Sequence, residues 1–192
     1  MTNTENLHES LANKCREAGS ESIVLLKNDD RILPFTESDC VSVFGRPQIN
    51  YIRSGTGSGG LVKVDYIVNI LDGFRNHHIK INDQLASHYI DWIKSHPYDD
   101  GNGVWGAEPW FQADMEISLE FAQQQAKISN KAMYIIGRTA GEDQDNFNGC
   151  GSYLLTKEEE ANLKNITSAF ENVVVALNVS NIIEMHWVYN TV

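Results

Sequence analysis

Three short runs, Val41–Phe44, Ala132–Ile136 and Val173–Val179, are apolar at nearly every position. A strand with one face in water alternates apolar and polar residues, whereas a strand that is apolar throughout is covered on both faces. Between the runs lie segments whose apolar residues recur every three or four positions, the helical spacing. Asp83–Ser95 carries Leu85, Tyr89, Trp92 and Ile93 on one face, and Met115–Ser129 carries Met115, Leu119, Ala122 and Ala126. Tyr66–Phe74 and Leu7–Ala18 read the same way, and Thr156-Lys157-Glu158-Glu159 opens a further helix with a capping-box pattern. Buried strands alternating with helices predict an α/β fold. The expected form is a mostly parallel sheet flanked by helices on both faces, a three-layer, flavodoxin-like sandwich.

In such sheets the ligand crevice lies at the carboxyl ends of the strands. Two unusual loops follow strands there. Ser54-Gly55-Thr56-Gly57-Ser58-Gly59-Gly60 has almost no side-chain bulk. Gly137–Asn146 places Glu142, Asp143 and Asp145 on a glycine-flanked turn. The first loop lacks the Gly-Lys-Ser/Thr ending of a phosphate cradle, and no acidic partner for a dinucleotide fingerprint can be placed. The second lacks the glycine and distal glutamate of a calcium loop. No metal or cofactor is expected.

The 192 residues carry a net charge of −11. A phosphate-backbone partner requires a basic footprint, so nucleic acid is excluded as a ligand. Cys15, Cys40 and Cys150 are odd in number and widely spaced, which suits a reducing compartment rather than a zinc site or disulfide framework. The polar start MTNTENLHESLANKC has no apolar h-region, and no apolar run is long enough to span a bilayer. The reading is cytoplasmic.

ESIVLLKNDDRILPF resembles the segment opening the α/β-sandwich domain of glycoside hydrolase family 3, the β-glucosidase and β-xylosidase family. Three further stretches agree in order: FGRPQINYIRSGTGSGG with the family's glycine-serine loop, IIGRTAGEDQDN with its Gly-Glu loop, and VVVALNVSNIIEMHW with its late strand. The resemblance implies a helical lead-in over residues 1–20 and the sandwich domain over 21–192, incomplete at its C-terminus. It also implies a retaining β-glycosidase whose barrel domain, absent from this sequence, supplies the aspartate nucleophile and most of the sugar pocket. The start ahead of the sandwich motif suggests a relative in which this domain precedes the barrel; a truncated gene or a fragment would look the same. The implied partners are a β-glycoside or oligosaccharide and a barrel in cis or trans. Self-association through the uncovered docking surface is expected as well.

By the same resemblance Glu142 is the general acid/base. Retaining hydrolysis places two carboxyl groups about 5 to 5.5 Å apart, one attacking and one donating a proton. Without a barrel Glu142 is expected to be an ordinary solvated side chain, and an acidic surface loop is the bland alternative. Asp143 stands where family loops often carry glycine, so the acid assignment lies between Glu142 and Asp143. Asp145 binds a sugar hydroxyl or shapes the turn. Ser58 and Gly57 border the site as sugar contacts, or serve backbone geometry alone. Arg138 is expected in a surface salt bridge. Trp105 and Trp110 stack on a sugar or pin their loop. Lys27-Asn28 is the polar end of a buried segment. The competing function is a non-catalytic carbohydrate-binding or interaction module with a relic site, for which isolated-chain affinity for glucose or cellobiose would speak; none is expected.

Overall fold

The computed structural model describes residues 3–54, 56, 57, 60, 64–139 and 141–191, the side chains of 3–6, 190 and 191 excepted. The chain divides into two compact units, Met1–Pro34 and Phe35–Val192.

In the first unit, helix α1 spans Asn3–Glu21. Beyond it the chain has no regular secondary structure up to a turn in which Arg31 N donates to Asn28 O at 3.2 Å. The Asn28 amide closes the turn, accepting from Leu33 N and donating to Leu33 O. Ile23, Val24, Leu25 and Leu26, expected to be buried, are 62–80% exposed. They lie on a run without regular secondary structure.

The second unit is built on a four-stranded sheet of order β2-β1-β3-β4, every pairing parallel. Its strands are β1 (Cys40–Phe44), β2 (Lys80–Ile81), β3 (Lys131–Gly137) and β4 (Val173–Asn178). Helices α2 (Ile70–Asn76), α3 (Asp83–Ser95), α4 (Leu119–Ala126) and α5 (Lys157–Ala169) connect or flank them, and α6 (Val188–Thr191) follows β4.

Alternation along β3 shows why its sequence is apolar throughout. Ala132, Tyr134 and Ile136 face a core with Leu163 and Ile166 of α5 and Ala122 of α4. Met133 and Ile135 face a second core with Val41, Val43 and Leu71 of α2. Both faces are covered, so both sets of side chains leave water. Helix starts follow their caps rather than their apolar spacing. Asn69 caps α2 in a capping box with Asp72, so Tyr66–Val68, expected to be helical, are exposed and irregular. The Ser118 hydroxyl accepts from Phe121 N, so α4 begins at Leu119 rather than Met115. The Thr156/Glu159 capping box of α5 forms as its sequence implied. A buried polar group joins three elements: Asn82 Nδ2 donates to Ser42 Oγ and to Gln125 Oε1, each at 2.9 Å. Among the described residues no helix is long and apolar enough to cross a membrane.

Candidate active site

Parallel strands deliver β1, β3 and β4 to one carboxyl edge, and the loops that leave there converge. After β1, Gly45 (φ +96) turns the chain into a short 3-10 turn, Arg46–Gln48. A Cβ on Gly45 would stand 2.2 Å from the Ile135 carbonyl oxygen, so only glycine fits that exit. The chain then crosses the end of β3, where a side chain on Gly137 would meet Ile52 and Pro47 at 2.8 Å. Asn178, the last residue of β4, fastens the crossing with both halves of its amide. Ile52 N donates to its Oδ1 at 2.9 Å, and its Nδ2 donates to Ile52 O at 3.0 Å. The crossing segment thereby arrives at Thr56 and Gly57.

From β3 the chain enters the four-residue turn Gly141–Gln144, closed by Gln144 N donating to Gly141 O at 3.0 Å. Asp143 takes the left-handed position (φ +61), which aspartate tolerates better than most residues. Gly141 pairs with Thr56 in an isolated bridge, and Thr56 Oγ1 donates to Glu142 O at 3.4 Å. At the other end Gln144 is buried, its Nε2 donating to the carbonyl oxygens of Gly106, at 3.2 Å, and Glu108. A turn held at both ends presents its two central residues outward, and Glu142 is exposed. Glu142 lies directly beside Gly57. A Cβ on Gly57 would stand 2.5 Å from Glu142 Cβ and 2.9 Å from its Oε2, and the backbone there is left-handed (φ +83).

Of the residues singled out from sequence, Glu142 and Gly57 are thus brought together at the mouth shared by the two loops. Asp145 is exposed on the same loop, and its carbonyl accepts from Trp110 Nε1 at 3.1 Å. Ser58 lies outside the described residues. Trp110 packs edge-on against Phe147 at 5.1 Å, pinning the acidic loop, while Trp105 is 48% exposed next to Gly106.

Arg138 departs from expectation. Its guanidinium is buried, not at the surface, and makes a bidentate pair with Glu159 at 2.6 and 2.7 Å. The remaining donors reach the carbonyl oxygens of Gly137, Ser152 and Leu154. All five N–H groups are therefore used. The side chain ties the outgoing and returning ends of the acidic loop to the first turn of α5, where Glu159 also accepts from Thr156 N at 2.9 Å.

Three residues gave no sequence signal. Asn178 and Gln144 are single polar residues whose partners lie far along the chain. Asp114 sits in a loop without periodicity; its Oδ1 accepts from Arg46 N at 2.9 Å and Met115 N at 2.8 Å. Burial pushes its carboxyl up to about 7 against these hydrogen bonds, with the neighbouring Glu159 charge acting in the same direction as burial.

Residues 23–192 match the family model for the glycosyl hydrolase family 3 C-terminal domain. The chain is 43% identical over 175 residues to a beta-glucosidase of Ruminococcus albus, an alignment covering 91% of this chain and 18% of that protein. It is 25% identical to beta-glucosidase A of Butyrivibrio fibrisolvens, covering 89% of this chain and 23% of the relative. Among solved structures, a beta-glucosidase from Paenibacillus barengoltzii superposes with a TM-score of 0.84 at 52% identity, over 86% of this chain and 18% of that one. Beta-glucosidase 3B from Thermotoga neapolitana, in complex with glucose, gives a TM-score of 0.83 at 28% identity, over 96% of this chain and 26% of that one. The chain spans about a fifth to a quarter of the length of these relatives. The four motifs, the all-parallel sheet and these likenesses agree, and the chain belongs to glycosyl hydrolase family 3, of which it carries the C-terminal domain.

Proposed function

We propose that this chain supplies the general acid/base of a retaining β-glucosidase, and that Glu142 is that group. The nucleophile, an aspartate, belongs to a barrel domain in cis or in trans. One observation carries the reading: Glu142 stands outward from a turn anchored at both ends, beside Gly57, at the carboxyl edge of a parallel sheet. A proton donor needs an exposed carboxyl in a fixed place and a neighbour without bulk, so that a sugar can approach it. Asp143 fits less well, because it occupies the left-handed position that shapes the turn. The likeness to beta-glucosidases of R. albus and P. barengoltzii supports the substrate class, a terminal β-linked glucoside.

In the proposed chemistry the barrel carboxylate attacks the anomeric carbon while Glu142 donates its proton to the departing glycosidic oxygen. Glu142, now a carboxylate, then takes a proton from the water that cleaves the glycosyl-enzyme bond. An acid working near pH 7 needs a carboxyl poised near neutrality, and a negative nucleophile beside it and exclusion of water are the general means of poising one. Asp145, Gly57 and Ser58 belong to this proposal as sugar contacts. Three free cysteines fit a reducing, cytoplasmic setting.

The test is reconstitution. The chain alone is expected not to hydrolyse aryl β-glucosides, and addition of the barrel is expected to restore turnover. Glu142→Ala then lowers the rate on poor leaving groups by about 10²–10⁴, while azide rescues it on good leaving groups, which need no proton. A folded Glu142→Ala variant that keeps most of its activity, or shows no azide rescue, overturns the assignment.

A further inference from the structure

The acid turn is carried by a loop that is itself gripped at its root. Gln144, which ends the turn, donates to the carbonyl oxygens of Gly106 and Glu108. Both belong to the loop of residues 97–112 that leads from α3 toward α4. Two more bonds join this loop to the chain around Glu142. Thr139 N donates to Trp110 O at 2.7 Å, and Trp110 Nε1 donates to Asp145 O at 3.1 Å. Where the loop sits therefore decides where this end of the turn sits.

The loop is stiffened from within. At its root Asp99 N donates to Gln112 Oε1, and Gln112 Nε2 donates to Asp99 O, each at 2.8 Å. Gly101 N donates to Asp99 Oδ1 at 2.9 Å, and a Cβ on Gly101 would stand 2.5 Å from the Ala107 carbonyl carbon. Tyr98 Oη donates to Glu108 Oε2 at 3.2 Å. A displacement at the root is thus passed on to Gly106 and Glu108.

Arg46 holds that root. It follows Gly45 at the exit of β1 and is buried. Its guanidinium lies over the Trp92 ring of α3, 4.9 Å from the centroid. It donates to His96 O, to Pro97 O at 3.4 Å and to Gln112 Oε1 at 3.3 Å, so it grips both ends of the loop at once. These acceptors are neutral oxygens. A guanidinium does not give up its proton, and a buried charge is tolerated only where hydrogen bonds replace its hydration. Any drift of the loop root would leave the cation short of acceptors, so the root is held where Arg46 is.

We propose that Arg46 is a positioning residue for Glu142, acting through the loop of residues 97–112 and the Gln144 amide. The role assigned to Arg46 in turnover rests on the reading of Glu142 as acid/base, whereas its hold on the turn does not. A misplacement of about 1 Å, introduced far from the reacting atoms, is enough to lower a rate about 10²-fold.

The experiment compares Arg46→Met, which keeps the stem over Trp92 but removes the donors, with Gln112→Met, which opens the loop root and serves if Arg46→Met fails to fold. With the barrel domain present, kcat/KM is measured on phenyl β-glucoside, whose departure needs a proton, and on dinitrophenyl β-glucoside, whose departure does not. Both variants should lose about 10- to 100-fold on the phenyl substrate and keep the dinitrophenyl rate. A merely structural role would lower the two rates together. In the chain without a barrel, ¹⁵N relaxation should show the order parameters of residues 141–143 falling from about 0.85 toward 0.6, while those of β3 stay unchanged. Glu142→Ala is measured in parallel and should show the same selective loss, only deeper. If Glu142→Ala is not selective, the acid/base reading fails, and the relaxation result still decides whether Arg46 holds the turn. Equal losses on both substrates, no loss in a folded variant, or unchanged order at residues 141–143 overturns the positioning role.

Discussion

Replacing Glu159 with glutamine removes a charge from inside the domain while leaving its partner there. The wild-type pair is enclosed, both side chains under a tenth exposed, and Arg138 spends two of its five donors on Glu159. In the variant one glutamine oxygen can still accept, but the amide nitrogen faces a guanidinium N–H with no lone pair to offer. The box at the start of α5 weakens at the same time, because Glu159 Oε2 also accepts from Thr156 N. Breaking a buried pair by deleting one charge costs about 3–5 kcal/mol, a large share of the roughly 5–15 kcal/mol that holds a domain folded. With a urea slope of about 2 kcal/mol/M, the unfolding midpoint should fall by roughly 2 M. The double variant Arg138→Met/Glu159→Leu should regain only part of the loss: no charge is then stranded, but the carbonyl oxygens of Gly137, Ser152 and Leu154 lose the donors that Arg138 gave them. Urea unfolding of the three proteins by far-UV circular dichroism decides the matter. A loss in Glu159→Gln below about 1 kcal/mol, the size of an exposed pair, would show that water reaches Arg138 and that the clamp does not hold the acid loop.

Two further outcomes follow from the same geometry. Asp114 titrates at about 7 in the fold against 3.8 for the ordinary side chain; a raised carboxyl stabilises the fold at pH below 3.8 and loses that contribution as pH rises through 7. The difference is on the order of 4 kcal/mol, so melting temperatures should fall across this window, and Asp114→Asn should flatten the fall; an unchanged slope in the variant refutes the assignment. Gly57→Ala should destabilise by about 1–2 kcal/mol through its left-handed backbone, and its Cβ, 2.5 Å from Glu142 Cβ, should displace the Glu142 turn. Turnover of the reconstituted enzyme should therefore fall more than KM rises; unaltered kinetics would contradict the close approach.

Much of the framework was legible because it depends on local periodicity. Continuous apolar runs name strands, and β1, β3 and β4 lie where those runs lie, although β4, at the edge of the sheet, is only partly buried beyond Val173. The capping box at Thr156 and Glu159 is a local pattern, and it formed. The placement of an acid-rich turn at a sheet's carboxyl edge also follows from order along the chain. Tyr66–Val68 and Met115–Ile117 were misread for the converse reason. Their spacing fits a helix, but Asn69 and Ser118 offer side-chain oxygens that set the first turn later.

What surrounds Glu142 was decided only by the tertiary structure. Arg138 meets Glu159 across 21 residues, Gln144 reaches Glu108 across 36, and Asn178 holds Ile52 across 126. Periodicity tells which side of an element leaves water; it does not tell which distant polar groups will share the space that remains. A buried donor must find an acceptor wherever folding brings one, so the partners of single polar residues emerge from packing. For the same reason the sequence placed Gly57 at the border of the site but not its direct approach to Glu142, which the folded chain supplies. The sequence alone thus determined the layers and the edge at which the acid-rich turn leaves the sheet, while long-range contacts determined what holds that turn in place.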